Sequence, residues 1–275
     1  MKKADLHIHT TASDGKLNPS AVVDLAANRD IRLIAITDHD TIMGIDEAIK
    51  RCNIYDKITA IPGIELSTLY SDSEVHLLGY FIDYENETIV NLSKEINDYR
   101  YKRADKIVSK LQNLNIDISM EEVLSESKIK NIGRPHIARV LMKKGYVKDI
   151  SEAFNDYLGK GKKAFVDRYK LSLQKGIDII HECGGVAILA HPVLLNINIE
   201  DIVDKFDIDG IEVYHSKHSI EDSQKYLQIA KENNLYITGG SDFHGDKNKE
   251  APNIGDAFID IKELSELLDI YKYKV

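Results

Sequence analysis

Short apolar runs alternate with stretches of helical spacing at both ends of the chain, and the middle is helical throughout. Ala4-Asp5-Leu6-His7-Ile8 predicts a strand that stops in the polar loop Thr10–Gly15. Leu17 to Asp30 predicts a helix with Asn18 as its cap, Pro19 in its first turn, and Val22, Val23, Leu25 and Ala26 on its apolar side. Ile31 to Ile36 predicts a buried strand, Ile42 to Arg51 a helix, and Lys57 to Ile64 a third strand. Glu65–Leu69 and Val75–Phe81 predict a hairpin around Ser71-Asp72-Ser73. After a helix over Lys170–Cys183, strands at Val186–Ala190, Gly210–Tyr214 and Leu235–Gly240 alternate with helices at Asn198–Lys205 and Ile220–Asn233. Phe258-Ile259 adds a last strand and Ile261–Tyr271 a closing helix. Such alternation implies parallel strands joined by right-handed crossovers.

Strand signals stop between residues 86 and 165. Helices are predicted there at Ile89–Asn113, Met120–Leu124, Pro135–Lys144 and Ser151–Tyr157, and Gly159-Lys160-Gly161-Lys162-Lys163 marks the return. The chain therefore divides into a barrel formed by 1–85 and 166–275 and an all-helical insertion, a cap domain, over 86–165. A length of 275 residues suits one α/β barrel carrying an insertion.

Composition narrows the partners. The formal net charge is -9, which argues against a docking face for long duplex nucleic acid. A small phosphorylated ligand stays open, because bound divalent ions reverse the local field. Cys52 and Cys183 share no metal-type spacing and read as reduced, packed thiols. The first residues carry no apolar core of a signal peptide, and no run is long enough to span a membrane. The expectation is a soluble cytoplasmic protein without a membrane partner.

Chemistry collects where the predicted strands stop. Residues two apart on a strand face the same way, so His7 and His9 project together and Leu6 and Ile8 pack opposite. Two such imidazoles are either half of a metal site or core histidines bonded to backbone carbonyls. Thr37-Asp38-His39-Asp40-Thr41, Pro62-Gly63-Ile64-Glu65, His191-Pro192, His215 with His218, and Ser241-Asp242-Phe243-His244-Gly245 repeat the pattern at later strand ends, and His76 starts the second hairpin arm. A core histidine has no reason to prefer one end of a strand. In a barrel these ends share a rim, where active sites sit. Nitrogen and oxygen donors without thiolate suit Mn, Fe or Zn. Asp38 and Asp40 either orient His39 or form a self-solvating turn.

Taken in order, with Ser13-Asp14-Gly15 and His76-Leu77-Leu78-Gly79-Tyr80, these motifs resemble those of the PHP (polymerase and histidinol phosphatase) family from residue 5 to about residue 260. The resemblance implies a distorted (β/α)7 TIM-like barrel with two or three divalent metal ions at its rim. His7 and His9 would hold one ion, beside Glu65 and Asp242. Glu65 would bridge to a second, held also by His76 and His191. Asp14, His39 and His244 would hold a third. Adjacent metals can turn a shared water into hydroxide and clamp the oxygens of a phosphate ester.

The insertion carries Asn131-Ile132-Gly133-Arg134-Pro135-His136. With Pro135 at a helix's first position, Arg134 and His136 form either a substrate phosphate clamp or an ordinary helix start. A Gly-Arg-Pro-His stretch here resembles the part of the family that acts on nucleotides and short oligonucleotide ends. His218 is the candidate acid toward the leaving-group oxygen, against a surface histidine bonded to a neighbour. The expectation is a metal-dependent phosphoesterase for a 3′,5′-bisphosphonucleoside, a nucleoside monophosphate or the 5′ end of a short RNA. Its rivals are a histidinol phosphatase, a metal-dependent amidohydrolase and a non-catalytic metal-binding regulatory module. The last would have lost ligand positions, and none is lost. Length excludes a replicative polymerase.

Overall fold

In the computed structural model, which describes residues 2–126, 132–246 and 250–273, the chain falls into two compact units: 1–91 with 170–275, and 92–169. The first unit starts with β1 (Lys3–Ile8), α1 (Pro19–Asn28), β2 (Ile31–Ile36), α2 (Ile45–Cys52), β3 (Thr59–Tyr70) and β4 (Ser73–Tyr80). The helices α3 (Glu87–Gln112), α4 (Met120–Glu126), α5 (Arg134–Lys143) and α6 (Ile150–Ala153) follow, α3 beginning within the first unit. The first unit resumes with α7 (Leu173–Glu182), β5 (Val186–Leu189), α8 (Ile199–Lys205), β6 (Gly210–His215), α9 (Ile220–Glu232), β7 (Tyr236–Gly240), β8 (Ile259–Asp260) and α10 (Ser265–Ile270).

The strands form one sheet in the order β7-β6-β5-β4-β3-β2-β1-β8. Its ends nearly meet. The Asp242 N–H just after β7 donates to His7 O (2.8 Å), and the His9 N–H donates to Phe243 O (2.9 Å). Gly240 lies against His7 so closely that a Cβ would collide with the His7 backbone, so a side-chain-free residue is required there. The expected TIM-like α/β barrel is present. Two features depart from the regular alternation. β3 is one strand of 12 residues that absorbs both the predicted third strand and the first hairpin arm. β4 runs antiparallel to both β3 and β5. Reversal brings the start of β4, with His76, to the rim where the parallel strands end.

Two apolar layers hold the barrel. Ala4, Leu6, Leu33, Ala35, Ile61, Tyr80 and Ile188 fill the inside, closed by Leu264, Leu267 and Leu268. Ile8, Ile34 and Ile36 pack outward on Val22, Val23 and Ala26 of α1 and Ala48 of α2. Each fully buried aliphatic side chain of this kind contributes ~1.5–3 kcal/mol. Leu6 and Ile8 thus face different layers, contrary to simple alternation. The pairing explains why: Asp5 lies opposite Ile34 and Ile8 opposite Ile36, so β1 spends three steps where β2 spends two. This bulge changes the phase of β1 and turns His7 and His9 inward above Leu6.

The helical unit has its own core. Ala104, Ile107, Val108 and Leu111 form the apolar stripe of α3 and pack with Val123, Ile137, Ala138, Leu141, Ala153 and Leu158. The predicted helix over 151–157 is one short α-turn continued by a wider π-type turn, Phe154–Leu158. α5 starts at Arg134, one residue before Pro135. Asn131 of the preceding motif lies outside the described residues. Cys52 and Cys183 are free and buried. Among the described residues no helix is long and apolar enough to cross a membrane.

Candidate metal centre

Glu65, near the middle of β3, is the hub of the rim and is almost fully buried. Its Oε2 lies 3.5 Å from His7 Nε2, 3.3 Å from His9 Nε2 and 2.8 Å from His39 Nδ1. Its Oε1 lies 2.8 Å from His76 Nδ1 and 3.0 Å from His191 Nε2. Asp242 Oδ1 stands across from it, 3.1 Å from His9 Nε2 and 3.5 Å from His7 Nε2. Asp14 Oδ1 reaches His244 Nε2 at 3.3 Å and His9 Nδ1 at 4.0 Å. All nine residues expected as ligands therefore meet at one mouth of the barrel.

Local backbone fixes them. The Thr10–Gly15 loop closes on Thr10 O, which accepts from the Ser13 and Gly15 N–H groups; a Cβ at Gly15 would meet His9 O at 2.7 Å. Asp38 is fully buried and accepts from Thr10 N–H and Thr10 Oγ1, each at 2.7 Å, and from Ser13 Oγ at 2.5 Å. It thereby positions the loop that carries Asp14, not the His39 ring. Asp40 accepts from the Ser67 N–H at 2.7 Å, two residues beyond Glu65. Asp40, His191 and Asp242 all have positive φ, 56°, 28° and 56°. Such backbone is costly for side-chain-bearing residues and persists only where surrounding bonds impose it.

Charge at the centre is paired throughout. Burial raises a carboxylate pKa, yet Glu65 is held well below the ordinary range by the His39, His76 and His7 imidazoles around it. Asp14 and Asp242 are likewise driven well down against burial, Asp14 mainly by His39 and His244 and Asp242 mainly by His7. Against the effect of burial, His76 is pushed up to about 10 by Glu65, and His244 to about 10 by Asp14. His9 goes the other way, to about 3, through burial and the neighbouring His244 and His39 rings.

The donor set fits divalent cations. Among the described residues the buried atoms without a hydrogen-bond partner include His7 Nε2, both His9 ring nitrogens, His191 Nδ1, His215 Nε2, His218 Nε2 and Glu65 Oε2. Ligand atoms within 4.8 Å of one another form the overlapping groups His7-His9-Glu65, His39-Glu65-His76 and His9-Asp14-His39-His244. Orphaned buried polar atoms are expensive unless something absent supplies the missing partner. His244 Nδ1 donates to Asp242 O (2.9 Å) and its Nε2 faces Asp14 Oδ1 at 3.3 Å, so Nε2 is the nitrogen that would exchange its proton for a cation.

Sequence reasoning missed Glu212. It is fully buried on β6; its Oε1 accepts from His7 Nδ1 (3.0 Å) and its Oε2 from the His191 N–H (2.7 Å). A lone carboxylate inside the apolar run Gly210–Tyr214 was the available signal, since a buried charge needs a partner. His218, expected as the acid, lies three residues beyond the end of β6. Its Nδ1 donates to Val213 O (2.9 Å), its ring packs on Tyr226, and burial lowers its pKa.

Within the helical unit, Arg134 Nη1 donates to Leu158 O (3.1 Å) and its guanidinium lies 5.1 Å from the Phe154 ring centroid. His136 is buried, and its Nδ1 accepts from the Gly133 N–H (3.0 Å), so half of its hydrogen-bonding capacity caps α5. Two further arginines on α3 join them. Arg103 donates from Nε to Val166 O (3.0 Å), and Arg100 Nη1 lies 3.9 Å from where a Gly133 Cβ would stand. Burial and the nearby Arg134, Arg100 and Arg168 guanidiniums lower the Arg103 pKa to about 10. Arginines from three segments, α3, the start of α5 and the stretch at Arg168, thus gather within the helical unit.

The PHP domain model matches residues 5–176. The chain is 32% identical to the 5′-3′ exoribonuclease Rnm of Escherichia coli over 249 residues, 87% of this chain and 84% of that protein. It is 34% identical to the 3′,5′-nucleoside bisphosphate phosphatase of Chromobacterium violaceum over 251 residues, 89% of this chain and 88% of the relative. Its fold superposes on a Bifidobacterium adolescentis protein described as a metal-dependent phosphoesterase, with a TM-score of 0.85 at 30% identity over 97% of this chain and 95% of the other. A Chromobacterium violaceum structure described as an amidohydrolase with bound sulfate and no metal gives a TM-score of 0.84 at 30% identity, covering 98% and 96%. A rim of histidines and carboxylates on a barrel of this topology, together with these matches, shows that the chain belongs to the PHP domain family.

Proposed function

We propose that this protein is a metal-dependent phosphoesterase that hydrolyses phosphate esters of small nucleotides: a 3′,5′-bisphosphonucleoside, a nucleoside monophosphate or the 5′ end of a short RNA. The observation that carries the hydrolytic reading is Glu65, one buried carboxylate with five imidazoles within 3.5 Å. His7, His9, Glu65 and Asp242 would hold one ion, Glu65, His76 and His191 a second, and Asp14, His39 and His244 a third. Two or three ions of Mn, Fe or Zn in such sites supply Lewis acidity toward water and toward phosphoryl oxygens.

The chain's own groups do the rest. Asp38 and Asp40 hold the ligand loops in register. Arg134 and His136 are the substrate-binding residues in this reading, with Arg100, Arg103 and Arg168 adding fixed positive charge. That much guanidinium suits a substrate with more than one phosphate, which favours nucleotides over histidinol phosphate. The names of the Escherichia coli and Chromobacterium violaceum relatives support the same substrate class.

Purified protein loaded with Mn is expected to release phosphate from 3′-phosphoadenosine 5′-phosphate faster than from histidinol phosphate. The reverse order would transfer the assignment to histidinol phosphatase. No hydrolysis of either, with ions bound, would favour the regulatory module.

A further inference from the structure

Glu212 and His215 stand three apart on β6, a spacing that puts side chains on opposite faces of a regular strand. Here both reach the metal centre. Glu212 lies opposite Thr238 and Tyr214 opposite Gly239, so β6 spends two steps where β7 spends one. The extra residue resets the phase, as the bulge in β1 does for His7.

His215 is 4% exposed; its Nε2 faces Asp242 Oδ2 at 3.5 Å, longer than an ordinary hydrogen bond, and has no closer polar partner. By distance alone His7, His215 and Asp242 form a possible ion-binding group. The other ring nitrogen decides against it. His215 Nδ1 accepts from the Lys217 N–H at 3.1 Å. A neutral imidazole has one donor and one acceptor nitrogen, so with Nδ1 accepting, Nε2 carries the proton. To ligate through Nε2, the ring would have to move its proton to Nδ1, where it would face the Lys217 N–H. His7 shows the opposite pattern: its Nδ1 donates to Glu212, leaving the Nε2 lone pair for an ion.

The two oxygens of Asp242 are divided to match. Oδ1 faces His9 and His7, and Oδ2 faces His215. We propose that β6 supplies no metal ligand but two positioning residues of opposite polarity: Glu212, an acceptor that fixes the His7 ring and the His191 backbone, and His215, whose Nε2–H faces Asp242 Oδ2 and closes on it when Oδ1 takes an ion. This rests on the metal-centre reading above but not on the substrate. Glu212 receives two N–H donors and needs two acceptor oxygens. His215 needs one N–H in the right place, which a glutamine amide can offer.

The experiment loads full-length H215Q, H215L and E212Q with Co(II) or Mn(II) and measures ions bound per chain, dissociation constants and the visible Co(II) spectrum, with no substrate present. Thermal melts of the metal-free proteins check folding. H215Q is expected to keep the wild-type stoichiometry, affinity and spectrum. H215L and E212Q are expected to bind about 10- to 100-fold more weakly, the usual effect of removing such a partner. Loss of one ion from H215Q, or a changed Co(II) spectrum, would make His215 a ligand and overturn the proposal. Unchanged affinity in H215L or E212Q would overturn it also. Since no substrate is used, failure of the nucleotide assignment would show instead as intact metal binding without hydrolysis.

Discussion

In the barrel unit each charged group of the centre faces an opposite one: Glu65 meets His7, His9, His39, His76 and His191, and Asp14 meets His244. In the helical unit Arg103 stands near three other guanidiniums, and their repulsion adds to burial in lowering its pKa. The first arrangement is a balanced set of donors and acceptors. The second brings like charges together. In the proposed reading the first holds ions and the second holds phosphate, and each side can be broken in turn.

The largest effect is expected at the hub. Glu65→Ala removes the one carboxylate shared by five imidazoles and should reduce bound metal and bring phosphate release to background. Elemental analysis beside a phosphate-release assay checks both. Wild-type metal content in this variant would show that Glu65 is not a ligand.

An intermediate effect is expected in the helical unit. Arg103→Ala should raise KM for 3′-phosphoadenosine 5′-phosphate by about 10- to 100-fold, since hydrogen bonds to charged groups are worth ~1.5–3 kcal/mol. Metal content and the hydrolysis of p-nitrophenyl phosphate should stay near wild type. If both substrates suffer equally, Arg103 serves the fold and not phosphate binding.

The barrel side also predicts a pH dependence. His76 and His244 have folded pKa values raised to about 10 from an ordinary 6.5. A raised histidine pKa stabilises the fold fully below the unfolded value, and the contribution disappears as pH rises through the folded value. The metal-free protein should therefore lose melting temperature between pH 6.5 and about 10, while the metal-loaded protein stays flatter over the same window. Ion binding at neutral pH should release protons, read as a buffer-dependent heat in calorimetry.

The smallest effect tests locality. Asn18 caps α1 on the barrel's outer layer, its Oδ1 accepting from the Ala21 N–H at 2.8 Å. Asn18→Ala should cost ~1 kcal/mol of stability in denaturant titration. Metal affinity and turnover should not change.

Much of this was legible in the sequence, because ligand-type residues sat at the ends of apolar runs and ligand chemistry needs few residue types. His7, His9, Glu65 and His191 could be placed on that ground. What escaped depends on phase and direction, which periodicity does not record. One bulge sends Leu6 and Ile8 to different layers, and another brings Glu212 and His215 to the same face. The reversed β4 delivers His76 from the start of a strand. Arg100 and Arg103 were hidden in a long charged helix, where a solvated face is the ordinary reading of such residues. Asp38 was visible, but its bonds to Thr10 and Ser13 cross from one loop to another and leave no trace in spacing.

The most direct measurement is an anomalous-difference map from crystals of the Mn-loaded protein. The account predicts two or three peaks close together, each within ligand distance of Glu65, Asp242 or Asp14 and of the imidazoles that surround them. No peak there under saturating Mn, or peaks only elsewhere on the protein, would contradict it.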